Sequence, residues 1–166
     1  MAGNIEMVKA KPKALVIRAA GTNCNNETAL AFALTGATAE QVHINELIRG
    51  SKNLDDYHIL AIPGGFSYGD DLGSGKVLAN QLTLKLRQQL EDFIASGKLV
   101  IGICNGFQVI VKMGLLPALN GLHVQDATLT NNDSGKFEDR WVWMKAENDS
   151  IFTRGIKRIY LPVNHG

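Results

Sequence analysis

Apolar positions along this chain alternate between short continuous runs and widely spaced stripes. Lys13 to Arg18 (KALVIR) is a short β-branched run that reads as a strand. A polar stretch, AAGTNCNNE, follows. Asn25 or Asn26 is expected to cap a helix beginning near Glu27, because a short side-chain acceptor satisfies free N–H groups at a helix start. TALAFAL is rich in helix formers and Gly36 stops it. Gln41 to Ile44 reads as a second strand, and His58 to Ile62 as a third, broken by Pro63-Gly64-Gly65. From Lys76 to Ser96, Val77, Leu78, Leu82, Leu86, Leu90, Phe93 and Ile94 recur at three- and four-residue intervals. That spacing predicts a long amphipathic helix, ended by Gly97. Leu99 to Ile103 is an apolar strand, and Asn105 to Met113 a helix ended by Gly114.

Strands that are apolar throughout, alternating with helices, predict an α/β fold with a parallel sheet covered on both faces. After Pro117 the pattern changes: ATLTNN, RWVWMKA and IKRIYLPV read as strands with short, antiparallel connections. No internal repeat or low-complexity linker interrupts the chain, so residues 1–166 read as a single domain. The sequence stops at LPVNHG, directly after a β-like run, and the expectation is a domain truncated at its C-terminus.

Composition narrows the classes. With 166 residues, 45% of them hydrophobic, the chain is long enough to bury a sizeable core. Seventeen Lys and Arg against sixteen Asp and Glu give a net charge of +1, which leaves no footprint for nucleic acid or an anionic membrane. The longest apolar runs are strand-sized and too short to span a bilayer. MAGNIEMVKAKPK has no apolar stretch after its basic residues, so no secretory signal is expected. Two cysteines, Cys24 and Cys104, make no disulfide framework, and a cytoplasmic domain is expected.

Cys104 is the point where chemistry enters. A lone cysteine after an apolar strand is most often a small buried core residue. Position argues otherwise here, because Cys104 ends a strand and opens a tight turn into a helix, with Gly102 and Gly106 on either side. This G-x-C-x-G is the cysteine form of the nucleophile elbow, in which small neighbours let a strained turn project the nucleophile above the sheet. The helix that starts at once directs its N-terminal partial charge at the sulfur. The backbone N–H of Asn105 is aimed where an oxyanion would form.

A thiol nucleophile needs a base, and the chain has four histidines. His43 at a strand end, His58 within a strand and His123 in a polar connection are most simply structural or solvent-exposed. His165 follows the strand IKRIYLPV, where a strand end would meet the active side of the sheet; an arbitrary terminal histidine is the plain alternative. Pro63-Gly64-Gly65-Phe66-Ser67 also follows a strand and lies on the rim of Cys104. Its glycines allow a backbone N–H to face the site, although an ordinary turn has the same look.

PGGFSYGDD, GKLVIGICNGFQVI and LPVNHG together resemble the class I (triad-type) glutamine amidotransferases. GTNCNNET, GGFSYGDD, GICNGFQ and TNNDSGKFEDRWV are most similar to the glutaminase components of phosphoribosylformylglycinamidine synthases, in de novo purine biosynthesis, over about Leu15 to Gly166. The resemblance implies a flavodoxin-like, mostly parallel sheet. It implies that Cys104 attacks the side-chain amide of glutamine, releasing ammonia and leaving a γ-glutamyl thioester. Gly65 and Asn105 match the oxyanion-hole donors, and Gln108 a position that holds glutamine. Asn132, Ser134 and Phe137 fall in the segment lining its amino-acid end, and His165 matches the base. A glutamate follows the His-Gly pair in the family, whereas this sequence ends at Gly166; impaired turnover is therefore expected of this chain.

The resemblance also implies a synthetase partner, as a separate subunit or a fused domain, that consumes the ammonia. ATP and Mg are expected on that partner and no cofactor in this chain. GSGK at Gly73 to Lys76 lacks the spacing of a phosphate-binding loop and reads as a helix start. Two distant cysteines and scattered histidines offer no metal-ligand spacing. Other readings are a different class I amidotransferase or cysteine hydrolase, or a non-catalytic regulatory domain on the same fold.

Overall fold

A computed structural model describes residues 10–166, so most of the stretch MAGNIEMVKAKPK lies outside the described residues. Two compact units divide the chain, one ending at Thr128 and the other running from Leu129 to Gly166. The first contains β1 (Lys13–Arg18), α1 (Asn25–Leu34), β2 (Thr38–His43), α2 (Ile44–Ile48), β3 (Ile59–Ile62), α3 (Lys76–Ala95), β4 (Leu99–Gly102) and α4 (Asn105–Lys112). The second contains β5 (Glu138–Lys145) and β6 (Arg158–His165).

In the first unit the strands are all parallel, in the order β2-β1-β3-β4, which is the flavodoxin-like order. β1 runs through the middle, and its four inner residues, Ala14 to Ile17, are wholly buried. Right-handed crossovers then set the layers. The step from β1 to β2 goes one way along the sheet and those to β3 and β4 the other, so α1 lies on one face and α2 and α3 on the opposite one. α3 buries Leu78, Leu82, Leu86, Leu90 and Phe93, the stripe its periodicity predicts, in one cluster with Leu15, Ile17, Leu60 and Ile62. Each such side chain contributes about 1.5–3 kcal/mol by leaving water.

Three local expectations differ from the structure. α1 begins at Asn25 with Cys24 as its N-cap and no side-chain cap. Asn25 and Asn26 are instead engaged by β2: Asn25 Nδ2 donates to Gln41 Oε1 at 2.7 Å, and Gln41 Nε2 donates to Asn26 Oδ1 at 2.9 Å. β2 starts at Thr38 and stops at His43, which caps α2. His43 Nδ1 accepts from the Asn45 amide at 3.2 Å while Glu46 Oε2 accepts from the His43 amide at 3.0 Å, a capping box in which an imidazole replaces the usual hydroxyl. Ala127 to Asn132, ATLTNN, forms no strand.

The second unit is an antiparallel ribbon, as its sequence suggested, with Glu138 opposite His165 and Lys145 opposite Arg158. The Tyr160 ring lies 5.1 Å from that of Trp141 and 5.0 Å from that of Trp143, within the range of favourable aromatic packing. Among the described residues no helix is long and apolar enough to cross a membrane.

Candidate active site

β4 delivers the chain to Cys104. The Ile103 amide donates to Ile62 O at 3.0 Å, extending the pairing of β3 with β4 up to the cysteine. Cys104 itself has φ +54° and ψ −112°. A residue bearing a side chain seldom adopts that conformation, and it costs of order 1–3 kcal/mol. The flanking glycines are forced by the way the turn folds back. A Cβ at Gly102 would stand 2.4 Å from Gly106 O, and one at Gly106 only 1.8 Å from Ile62 O. α4 starts immediately afterwards, so the Asn105 N–H is one of the first-turn donors that no helical carbonyl can satisfy. The cysteine is exposed.

The loop after β3 closes the other side. A Cβ at Gly64 would lie 3.3 Å from Cys104 Cβ. Gly65 has φ +127°, and a Cβ there would stand 2.7 Å from the Asn23 amide nitrogen. The Gly65 N–H meets no acceptor among the described residues. The loop after β1 grips this segment: Phe66 N donates to Gly21 O at 3.0 Å, Tyr68 N to Ala20 O at 2.7 Å and Cys24 N to Gly64 O at 3.3 Å. These loops leave the carboxyl ends of β1 and β3, where strand order reverses, the usual binding crevice of an open α/β sheet.

Asn105 ties the two halves together. It is buried, and its Oδ1 accepts from Ser67 N at 3.2 Å and Ser67 Oγ at 2.7 Å. Its Nδ2 donates to Asp70 Oδ1 at 3.0 Å and to Gln108 Oε1 at 3.1 Å. Asp70 Oδ1 also accepts from Gly75 N at 2.9 Å, which anchors the start of α3 to the same knot.

Cys104, Gly65, Asn105 and Gln108 thus gather in the first unit. Asn132, Ser134, Phe137 and His165 belong to the second. There, Asn132 Oδ1 lies 2.8 Å from His165 Nδ1, and Asn132 Nδ2 donates to His165 O at 3.0 Å. Ser134 Oγ donates to Glu138 Oε1 at 2.9 Å; that bond and Arg140 hold the Glu138 carboxyl below its usual range. The Phe137 ring is exposed beside Gly166. His165 is the last residue of β6 rather than lying after a strand.

The other histidines have structural places. His43 caps α2, and His58 Nδ1 accepts from the Lys13 amide at 3.0 Å. The His123 side chain is buried, with Nε2 3.6 Å from Glu91 Oε1. Among the described residues no cluster of His, Cys, Asp and Glu is arranged to hold a metal ion. Sequence reading missed Asn23, Ser67 and Asp70 as parts of this site. The signal for them was a run of polar residues inside two glycine-rich loops, each of which also looks like an ordinary turn.

A thiol held in a left-handed conformation between a parallel strand and the helix that follows defines a nucleophile-elbow protein of the α/β class. Residues 11–166 match the CobB/CobQ-like glutamine amidotransferase domain, and the chain belongs to that family. It is 52% identical over 161 residues to phosphoribosylformylglycinamidine synthase subunit PurQ of Dehalococcoides mccartyi, covering 95% of this chain and 62% of that protein. It is 48% identical over 165 residues to the subunit of the same name from Methanococcus maripaludis, covering 96% of this chain and 60% of that one. The chain therefore spans about three fifths of the length of these relatives. The solved structure of PurLQS from Thermotoga maritima contains a chain that superimposes with a TM-score of 0.76 at 35% identity, covering 95% of this chain and 68% of that one. The architecture is that of a class I glutamine amidotransferase.

Proposed function

We propose that this protein is the glutaminase of a phosphoribosylformylglycinamidine synthase, hydrolysing glutamine through a Cys104 thioester and supplying ammonia to a synthetase partner. The carrying observation is the strained elbow, φ +54° at Cys104, with the loop of Gly64 and Gly65 packed against it and the Gly65 N–H unengaged among the described residues. The names of both relatives point to the same subunit.

In this mechanism Cys104 Sγ attacks the side-chain amide carbon of glutamine. Charge gathers on the amide oxygen, and the N–H groups of Gly65 and Asn105 are its donors; a fixed donor of this kind is worth about 2.7–4 kcal/mol in the transition state. His165 takes the thiol proton and returns it to the departing ammonia. Water, deprotonated by the same imidazole, then attacks the thioester; glutamate leaves and the thiol is restored. Gln108, Asn132, Ser134 and Phe137 hold the glutamine. ATP and Mg act on the synthetase partner, none in this chain, and the place of work is the cytoplasm.

The test is ammonia release from glutamine, measured with the synthetase partner present. Cys104→Ser is expected to abolish it, because a serine hydroxyl lacks an accessible anion. Cys24→Ser should retain most of it. Retained turnover in a folded Cys104→Ser protein would refute the thioester route, and absence of turnover in the wild type would favour a non-catalytic domain on this fold.

A further inference from the structure

Glutamine hydrolysis uses one of the protein's two cysteines, and the other stands close by. Cys24 caps α1 at the end of the loop that grips Gly64 and Gly65. A Cβ built on Gly64 would stand 3.3 Å from Cys104 Cβ and 3.5 Å from Cys24 Sγ, so both cysteines border the place of one methyl group. A sulfur atom is about that size. Gly64 differs from its glycine neighbours in having no positive φ and no backbone atom close enough to exclude a side chain. What its missing methyl leaves open is a place bordered by Cys24 Sγ and Cys104 Cβ.

We infer that Cys24 and Cys104 form a reversible oxidation site, in which hydrogen peroxide oxidises Cys104 and Cys24 captures the product as an intramolecular disulfide. This goes beyond the amidotransferase reading and rests on the placement of the two cysteine side chains beside Gly64. Cys104 is the exposed thiol and Cys24 the half-buried one, so peroxide meets Cys104 first. Burial, then Glu27, then Cys104 push the Cys24 thiol up, which keeps it protonated and out of that first step. Its S–H donates to Asn23 Oδ1 at 3.2 Å.

In the first step the Cys104 sulfur attacks a peroxide oxygen. An S–O bond forms and the O–O bond breaks, giving the sulfenic acid and one water. In the second, Cys24 gives up its proton and its sulfur attacks the Cys104 sulfur; an S–S bond forms and the hydroxyl leaves as a second water. The two thiols lose two electrons and the peroxide gains them. A disulfide of about 2 Å then requires the Cys104 side chain to turn toward Gly64 and Cys24 to rotate about its Cα–Cβ bond. The consequence is protection, because a captured sulfenic acid does not go on to the irreversible sulfinic and sulfonic acids.

Peroxide treatment of the purified protein, followed by alkylation of remaining thiols and peptide mass mapping, tests this. Wild type is expected to lose both alkylatable thiols together, to weigh two hydrogens less, and to yield a Cys24–Cys104 linked peptide that dithiothreitol separates. In Cys24→Ser the same dose should drive Cys104 to acids that dithiothreitol does not reverse, so that most of that thiol is not recovered. The inference is overturned if Cys24 of wild type stays alkylatable while Cys104 oxidises, if the disulfide joins only separate copies, or if both proteins recover Cys104 equally. Should Cys24→Ser fail to fold, the wild-type map alone decides. None of these readouts uses glutamine, so their failure leaves the glutaminase reading standing.

Discussion

Asn105 Oδ1 accepts hydrogen bonds from both the amide and the hydroxyl of Ser67, at 3.2 and 2.7 Å. The side chain of the residue after the elbow cysteine therefore fixes the loop that carries Gly65, while its backbone N–H is one of the first-turn donors of α4. With Asp70 and Gln108 taking its two amide protons, every polar position of that buried carboxamide is in use.

Removal of either partner should report this coupling. Ser67→Ala loses the hydroxyl bond alone and is expected to cost about 1 kcal/mol. Asn105→Ala leaves buried donors of Ser67 without an acceptor, at about 1–3 kcal/mol each, and should cost clearly more. Urea unfolding of both single variants and the double checks it. Sub-additive costs are expected of groups in one network, and strictly additive ones would show that the knot is not a unit.

Gly106 is the second checkable point. A Cβ there would stand 1.8 Å from Ile62 O, a backbone atom that no rotamer change can move. Gly106→Ala must push α4 off the sheet, and a loss of at least about 3 kcal/mol is expected, at the upper end for overpacking. A thermal unfolding midpoint equal to that of wild type would mean that α4 does not cross β3 so closely.

How far the sequence discloses these features depends on how local they are. The stripe of α3 and the elbow at Cys104 are local patterns, periodicity in one and paired glycines in the other, and both stand in the structure as read. Asn25 and Asn26 look like caps in the sequence but are engaged instead by Gln41, which lies across the β1–β2 crossover. Asn105 and Ser67 are 38 residues apart, and nothing in GICNGFQ or GGFSYGDD marks the bond between them. ATLTNN has strand-like composition, but a ladder is a relation between segments, which alternation in one of them does not establish. His43 reads as a strand end and also accepts as a cap, a use of imidazole that residue preferences for caps do not anticipate.

The stability of the β2 edge should depend on pH through Glu40. Hydrogen bonds from Lys52 and from Tyr57, whose hydroxyl donates to Glu40 Oε2 at 2.6 Å, hold this carboxyl below its ordinary value of 4.5. A group whose folded value is depressed contributes stability above its unfolded value and loses it as pH falls through the folded one. The contribution should therefore be complete at neutral pH and fade below about 4.5. Because the pair with Lys52 is partly exposed, its size should stay within about 1 kcal/mol. Glu40→Gln is expected to flatten that part of the acid limb in urea unfolding across pH; an unchanged slope would count against it.

Asn132 sets the tautomer of His165. Its Nδ2 donates to two carbonyls, Lys136 O at 2.9 Å and His165 O at 3.0 Å, which fixes which end of the amide is nitrogen. The remaining atom, Oδ1, is an acceptor only, and it lies 2.8 Å from His165 Nδ1. Nδ1 must then carry the hydrogen, and in the neutral ring the lone pair sits on Nε2. That is the nitrogen a general base presents when its other side is anchored, the arrangement in which a buried acceptor orients a catalytic imidazole. Nitrogen NMR of the imidazole is expected to show the Nδ1–H tautomer in wild type. Asn132→Ala removes the acceptor and should move the ring toward the Nε2–H form that free imidazole side chains prefer, with ammonia release from glutamine falling in parallel. An Nε2–H ring in wild type, or the same tautomer in both proteins, would show that this asparagine does not orient His165.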